Sequence, residues 1–222
     1  MKKTGVILSI FLAVGLLCGC GKTEEKKESP IEDFQYEMVD GEAVITGYRG
    51  SDREIYIPEE INDRPVTTIG EEAFAGYDMT LVSIPSGVKV IDKYAFKECN
   101  CLIEITLPEG LTRIEGYAFY RCQALTDVHL PDGLEYLGSA AFGYCESLKE
   151  LVLPDALTGF EITYRIRYGV LDSGGVFAEQ EGDAMWSPVS AEYTTLVVSE
   201  GSEVQRMLDT YGWYDDIQYE TR

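Results

Sequence analysis

The chain repeats itself. Pro85, Pro108, Pro131 and Pro154 stand 23 residues apart, and Pro58 precedes the first of them by 27. Three units around these prolines read VSIPSGVKVIDKYAFKEC, ITLPEGLTRIEGYAFYRC and VHLPDGLEYLGSAAFGYC. An upstream variant, IYIPEEINDRPVTTIGEEAFAGY, has Tyr77 in the cysteine place and carries a four-residue insertion. Downstream, LVLPDALTGF begins a unit and then loses the pattern. A unit this short cannot bury its own apolar face, so neighbouring units must stack and share one core. The period therefore predicts a solenoid.

Each unit reads as a sequence of short elements. In LIEITLP, Ile105 and Leu107 alternate with Glu104 and Thr106, the mark of a strand with one face inward. Proline then fixes φ, and the glycine two residues on allows a turn. A second extended piece follows, with Leu111 and Ile114 inward. Ala118, Phe119 and Cys122 lie three or four residues apart, which predicts a short helix or 3-10 segment facing the core. Leu125 closes the unit. Before the repeats, Asp40-Gly41 separates two alternating runs in FQYEMVDGEAVITGY and predicts a hairpin turn.

The pattern LxxIxLPxGLxxIxxxAFxxCxxL resembles the BspA-type leucine-rich repeats of bacterial surface proteins, over residues 34 to 160. The resemblance implies an α/β leucine-rich-repeat right-handed superhelix, a β-rich solenoid with short helical turns and atypical caps at both ends. It also implies non-catalytic binding of protein at the cell surface, since related proteins are adhesins and host- or matrix-binding proteins.

Cys99, Cys122 and Cys145 recur in phase with the repeat, which predicts a column of small buried side chains. Disulfides between coils require Cβ atoms about 3.8 Å apart, closer than neighbouring coils usually come. The expectation is free thiols, with Cys101 off the column. A stacked column also does not converge on a metal.

After Leu157 the repeat fades. FEITYRIRY (160–168) alternates and reads as a longer strand, Asp172-Ser173-Gly174-Gly175 as a turn, and residues 178–192 as a loop or insertion. YTTLVV returns to strand. Ser202 with Gln205 forms a capping-box pattern for a helix over Glu203 to Tyr211, ended by Gly212. Residues 161–222 thus read as an irregular last repeat and a cap, with Trp213 and Tyr214 in its packing. An aromatic ligand patch around Trp186 and Trp213 is the alternative.

The N-terminus carries a different signal. Met1-Lys2-Lys3 precedes VILSIFLAVGLL, whose twelve residues would span about 18 Å as a helix, short of the ~30 Å of a bilayer core. The following Leu17-Cys18-Gly19-Cys20 resembles the lipobox of bacterial lipoproteins. That resemblance implies a signal peptide over residues 1–19, cleavage after Gly19 and a diacylglycerol on Cys20; an ordinary secretory signal is the alternative. Residues 20–33, lipidated cysteine and GKTEEKKESPIED, read as a flexible tether that would reach at most about 45 Å. Localisation would be extracytoplasmic, on the cell membrane by a lipid anchor.

Net charge is −21, and removing Lys2 and Lys3 with the signal makes it −23. Such a chain repels phosphate backbones and anionic lipid, so nucleic acid is not a partner and membrane contact is confined to the anchor. A basic protein surface is electrostatically favoured. No phosphate-cradling glycine loop or metal-ligand spacing is present, so no cofactor is expected.

Outward strand positions in register form two columns: Glu54, Leu81, Glu104, Asp127, Glu150, and Tyr56, Ser83, Thr106, His129, Val152. Strands about 4.8 Å apart would set Glu104, Asp127 and Glu150 side by side as like charges. The candidate ligand-binding residues are Glu54, Tyr56, Glu104, Thr106, Asp127, His129 and Glu150, facing a basic peptide or a cation. Solvated carboxylates screened by salt are the plainer reading. Thr106, His129 and Asp127 superficially combine nucleophile, base and orienting group, but an open sheet neither excludes water nor holds an oxyanion; no enzyme is expected. The expected partner is a host, matrix or envelope protein. A structural scaffold within the bacterial envelope is the competing role.

Overall fold

The computed structural model describes residues 28–160, 170–171, 177–178, 194–210 and 219–222. The signal region, Cys20, the strand over 160–168 beyond Phe160, the turn at 172–175, Trp186, Trp213 and Tyr214 lie outside the described residues.

A hairpin opens the fold. Strands β1 (Phe34–Val39) and β2 (Glu42–Tyr48) pair antiparallel through Asp40-Gly41, whose φ angles of 52° and 85° suit a tight two-residue turn. Strand β3 (Glu54–Tyr56) follows. The insertion in the first unit is a second hairpin: β4 (Glu60–Ile61) turns through Asn62 and Asp63, both left-handed, into β5 (Arg64–Ile69). Each coil then supplies two short strands. These are β6 (Leu81–Ser83) and β7 (Val90–Ile91), then β8 (Glu104–Thr106) and β9 (Arg113–Ile114). The next coil supplies β10 (Tyr136–Leu137), and the following one β11 (Glu150–Val152) and β12 (Gly159–Phe160). Strands β13 (Val170–Leu171) and β14 (Phe177–Ala178) pair antiparallel. β15 (Thr195–Val198), helix α1 (Glu203–Thr210) and β16 (Tyr219–Thr221) come last.

Stacked coils build two sheets, parallel throughout except for the antiparallel hairpin pairs β1-β2 and β4-β5. One runs β1-β2-β5-β7-β9-β10-β12, with β4 attached to β5. The other runs β3-β6-β8 and continues as a single bridge from Glu104 to Asp127. Between the sheets lies one core of Ile, Leu and Val, including Ile55, Val82, Ile105, Ile114 and Leu137 from the strands and Leu111 from the turn between two of them. Through it run Phe74, Phe96, Phe119 and Phe142. Successive ring centroids are 5.1, 5.1 and 4.9 Å apart and within 7° of parallel. Burying each such ring contributes about 2–3 kcal/mol.

The third side of each coil is not helical. The Ala-Phe-x-x-Cys spacing fits a helical turn, but the structure folds it into successive hydrogen-bonded turns. Ala95, Lys97 and Cys99 donate their N–H groups back to Asp92, Tyr94 and Phe96; the intervening Phe96 and Glu98 donate to Ala118 and Tyr120 of the next coil. The next coil repeats the alternation with Ala118, Tyr120 and Cys122 against Phe119 and Arg121. The cause is backbone conformation. Glu72, Tyr94, Tyr117 and Ala140 precede each Ala-Phe and have φ between 49° and 61°. Gly76, Glu98, Arg121 and Tyr144 stand four residues later and have φ of 57° to 71°. Two left-handed residues per coil rule out a continuous helix. They leave alternate amides directed along the solenoid, where the next coil accepts them.

Both ends depart from the repeat. Ser29, expected in the flexible tether, is 6% exposed; its N–H donates to Tyr56 O at 2.8 Å, and Tyr56 N–H donates to Ser29 Oγ at 3.0 Å. Ser29 thereby covers the open edge of β3, so the ordered fold begins before residue 34. At the other end, β15 pairs parallel with β11, Glu150 against Thr195, and β16 pairs with β15. Two more strands extend the stacking after the motif has vanished. The helix between them is capped as its sequence indicates: Gln205 N–H donates to Ser202 Oγ at 3.0 Å. The Gln205 side chain reaches back to Gly201 N–H, one residue beyond the usual capping box.

Candidate functional site

The strand side carries the candidate residues because a strand alternates its side chains and the core takes every second one. Glu54 pairs with Leu81, Leu81 with Glu104, and Glu104 with Asp127; Tyr56 pairs with Ser83 and Ser83 with Thr106. Glu54, Glu104, Thr106, Asp127, His129 and Glu150 are exposed, and Tyr56 is half-buried.

The acidic column is shorter than its spacing suggests. Among the described residues it runs through Glu104 and Asp127 and stops, for Glu150 begins a separate sheet, β11-β15-β16. Residues 128–130 form no paired strand, and the ladder is interrupted there. His129 is likewise not paired with Thr106. No hydrogen bond joins Thr106, His129 and Asp127 among the described residues, so the superficial triad is not assembled. Nor do three or more His, Cys, Asp or Glu side chains converge there as a metal site.

At the interruption the surface dips. A shallow groove of about 270 Å³ is lined by Ile103, Glu104, Ile105, Thr126, Asp127 and His129. Ile103 is half exposed at 50%. It takes a position where the other units have Thr80, Thr126 and Lys149. An outward isoleucine among polar counterparts is the sequence signal for this floor, and it lies one residue before the strand, outside the two outward columns. No salt bridge neutralises Glu104 or Asp127 among the described residues. The groove offers an apolar floor beside two adjacent negative charges.

The opposite chemistry lies on the turn side. Tyr94 and Tyr117 stack at 5.4 Å, and Tyr120 sits edge-on to Tyr117 and to Tyr144, at 5.4 Å in each case. Lys97 lies 5.5 Å from the Tyr94 ring centre, and Arg121 lies 5.4 Å from that of Tyr120 and 5.8 Å from that of Tyr144.

The described cysteines are free. Cys99, Cys122 and Cys145 are buried, with Sγ donating to the carbonyls of Phe74, Phe96 and Phe119 at 3.0, 3.1 and 3.2 Å. Burial raises the Cys122 thiol well above its usual pKa, assisted by Cys99, and raises Cys145 from 9.0 to about 12. These thiols are packing groups rather than nucleophiles.

Residues 66–164 match the model of the BspA type leucine rich repeat region, in six copies. That region of the chain is a BspA-type leucine-rich repeat. A leucine rich repeat protein of T. pallidum is 34% identical over 60% of this chain and 64% of its own, with a TM-score of 0.59. One from Bacteroides ovatus is 29% identical over 60% of this chain and 37% of its own, with a TM-score of 0.54. The pneumococcal vaccine antigen PcpA, 19% identical with a TM-score of 0.50, shares the fold, over 85% of this chain and 48% of its own. The chain thus spans less than two thirds of each of these solved chains. No curated protein matches it. In this BspA-type region the acidic groove and the tyrosine row lie on different sides of the same coils. No helix among the described residues is long and apolar enough to cross a membrane.

Proposed function

We propose that this chain is a non-catalytic lipoprotein of the bacterial cell surface, held by lipid on Cys20, that binds a protein partner through its strand side in adhesion or host interaction. The observation that carries the reading is the pair Glu104 and Asp127, adjacent in register beside the exposed Ile103. Like charges held side by side favour a ligand that supplies the missing cation, and Ile103 favours one with an apolar side chain next to it. Glu54, Tyr56, Thr106 and His129 flank this centre, and Glu150 stands beyond the break.

The test is capture by the full chain from two pools, host matrix and mucosal proteins, and solubilised bacterial envelope. Saturable capture of a host protein, lost in the Glu104→Lys, Asp127→Lys double variant, supports adhesion through this face. Capture confined to the envelope pool replaces adhesion with scaffolding. Capture unchanged by charge reversal removes the strand side as the site.

A further inference from the structure

A missing rung marks the acidic groove. Where the coils pair fully, the amide just past each strand donates to the next coil: Ile57 N–H to Ser83 O at 3.1 Å, and Ile84 N–H to Thr106 O at 3.2 Å. Leu107 holds the same place one coil on, and its counterpart in that pattern is His129 O. That bond is absent, and no backbone hydrogen bond reaches Val128, His129 or Leu130 among the described residues. The side chains of Val128 and Leu130 are nonetheless buried. The stretch is thus seated in the stack while its carbonyls keep unused acceptor capacity.

The groove beside this seam is rich in acceptors. The Glu104 and Asp127 carboxylates line it, and the Thr126 hydroxyl already donates to Ile103 O at 3.5 Å. Its volume of about 270 Å³ equals about nine waters at ~30 Å³ each, less than a small-molecule pocket usually offers. The space suits one long side chain rather than a helix or a cofactor.

Two cationic side chains compete for such a place. Lysine ends in a compact, strongly hydrated point charge, which a single carboxylate satisfies. Arginine presents five N–H donors and no acceptor, in a plane that serves two carboxylates at once. Glu104 and Asp127 stand in register on neighbouring strands, about 4.8 Å apart, within the span of one guanidinium. That group is weakly hydrated and lies readily on an apolar surface. Ile103, half exposed where the other coils carry Thr80, Thr126 and Lys149, supplies one.

We propose that the groove is an arginine pocket. It takes one arginine side chain from an extended segment of the partner protein, with the guanidinium between the Glu104 and Asp127 carboxylates and the stem along Ile103. This assignment rests on the strand side being the binding face and adds what that face selects.

The probes are three capped peptides, Gly-Ser-X-Ser-Gly with arginine, lysine or citrulline at X, titrated into the nitrogen-15-labelled full chain. Citrulline keeps the shape of arginine and loses its charge. Saturable amide shifts at Glu104, Thr126 and Asp127 are expected with the arginine peptide, about tenfold weaker affinity with lysine, and no shifts with citrulline. Ile103→Thr installs the residue found at Thr80 and Thr126, so the melting temperature should stay within a few degrees. It should weaken the arginine peptide about fivefold and leave the lysine peptide unchanged. Glu104→Gln with Asp127→Asn should abolish binding of both. Equal affinity for arginine and lysine, or an arginine preference that survives Ile103→Thr, overturns the pocket and leaves the acidic face as a site. Binding that survives the double variant removes both. No binding of any peptide overturns the pocket, and capture from the two pools still decides the face.

Discussion

The Sγ of Cys122 donates to the carbonyl oxygen of Phe96 in the preceding coil, 3.1 Å away. Cys99 and Cys145 make the same bond one coil to either side, so each thiol ties its coil to its neighbour. Thiols buried in this way meet reagents only when the solenoid opens. Among the four described cysteines, Cys101, which is only half-buried, should be alkylated by iodoacetamide in native buffer, and Cys99, Cys122 and Cys145 only after denaturation. Mass spectrometry of native-labelled tryptic peptides checks this; early labelling of Cys122 would contradict the buried column.

The same burial makes stability fall at alkaline pH. Folded Cys145 keeps its proton up to about 12, whereas the unfolded thiol loses it from 9.0. A pKa raised on folding contributes stability that is intact below 9 and disappears as pH climbs towards 12, because the unfolded state then binds fewer protons. The slope contributed by Cys145 is up to about 1.4 kcal/mol per pH unit. Tyr48, raised from 10.0 to about 12 by burial and by Asp52 and Asp33, acts in the same direction. Urea midpoints should be flat between about pH 7 and 8.5 and drop between about pH 9.5 and 11; a flat profile through that range would refute the account.

Left-handed positions predict opposite effects of glycine and alanine. Glu72 is exposed at φ 57°, and Glu72→Gly should raise stability by roughly 0.5–1 kcal/mol. Gly76 has φ 71° with nothing within 4 Å of an added Cβ, so Gly76→Ala should cost about 1 kcal/mol through the backbone alone. Thermal melts of the two variants decide it, and the prediction fails if both move the same way.

What was legible from residue order follows from these cases. Strand register was readable because Ile105 and Val82 must be inward, and a slip of one residue would expose both. The cysteine column followed from phase. The turn side departs from the helical spacing of Ala118, Phe119 and Cys122 because the deciding left-handed residues are mostly Tyr, Glu, Arg and Ala, types that do not announce positive φ. The pairing of Thr195 with Glu150 is hidden because the two stand 45 positions apart where the repeat has 23. Ser29 has the charged neighbours of a tether, yet two hydrogen bonds to Tyr56 fix it.

Two glycines five residues apart in the same coil should differ sharply. A Cβ on Gly138 would lie 2.2 Å from Gly116 N and 2.6 Å from Glu115 C, backbone atoms that cannot swing aside. Gly138→Ala must separate two coils and should cost about 3 kcal/mol. At Gly133 the nearest atom to an added Cβ is Glu109 O at 3.8 Å, ordinary contact, so Gly133→Ala should be neutral or slightly stabilising. Equal urea midpoints for the two variants would show that the close approach of Gly138 and Gly116 does not constrain the stack.

The pairing of Glu104 with Asp127 also has a measurable cost in the unliganded chain. Two carboxylates adjacent across a ladder repel, and both are exposed to solvent, so the penalty is a few tenths of a kcal/mol at low ionic strength. Salt shortens the reach of that repulsion to about 3 Å at 1 M. Asp127→Asn should therefore raise the melting temperature in low salt and lose most of that gain in 1 M sodium chloride. A control at Glu109, which lies outside the ladder, should show no comparable salt dependence. If Asp127→Asn is destabilising in low salt, Asp127 makes a favourable contact that outweighs the repulsion, and the groove is then built for packing instead of for a cationic partner. If it stabilises as expected while abolishing capture of a basic ligand, the residue sacrifices stability for binding, which is the behaviour of a site.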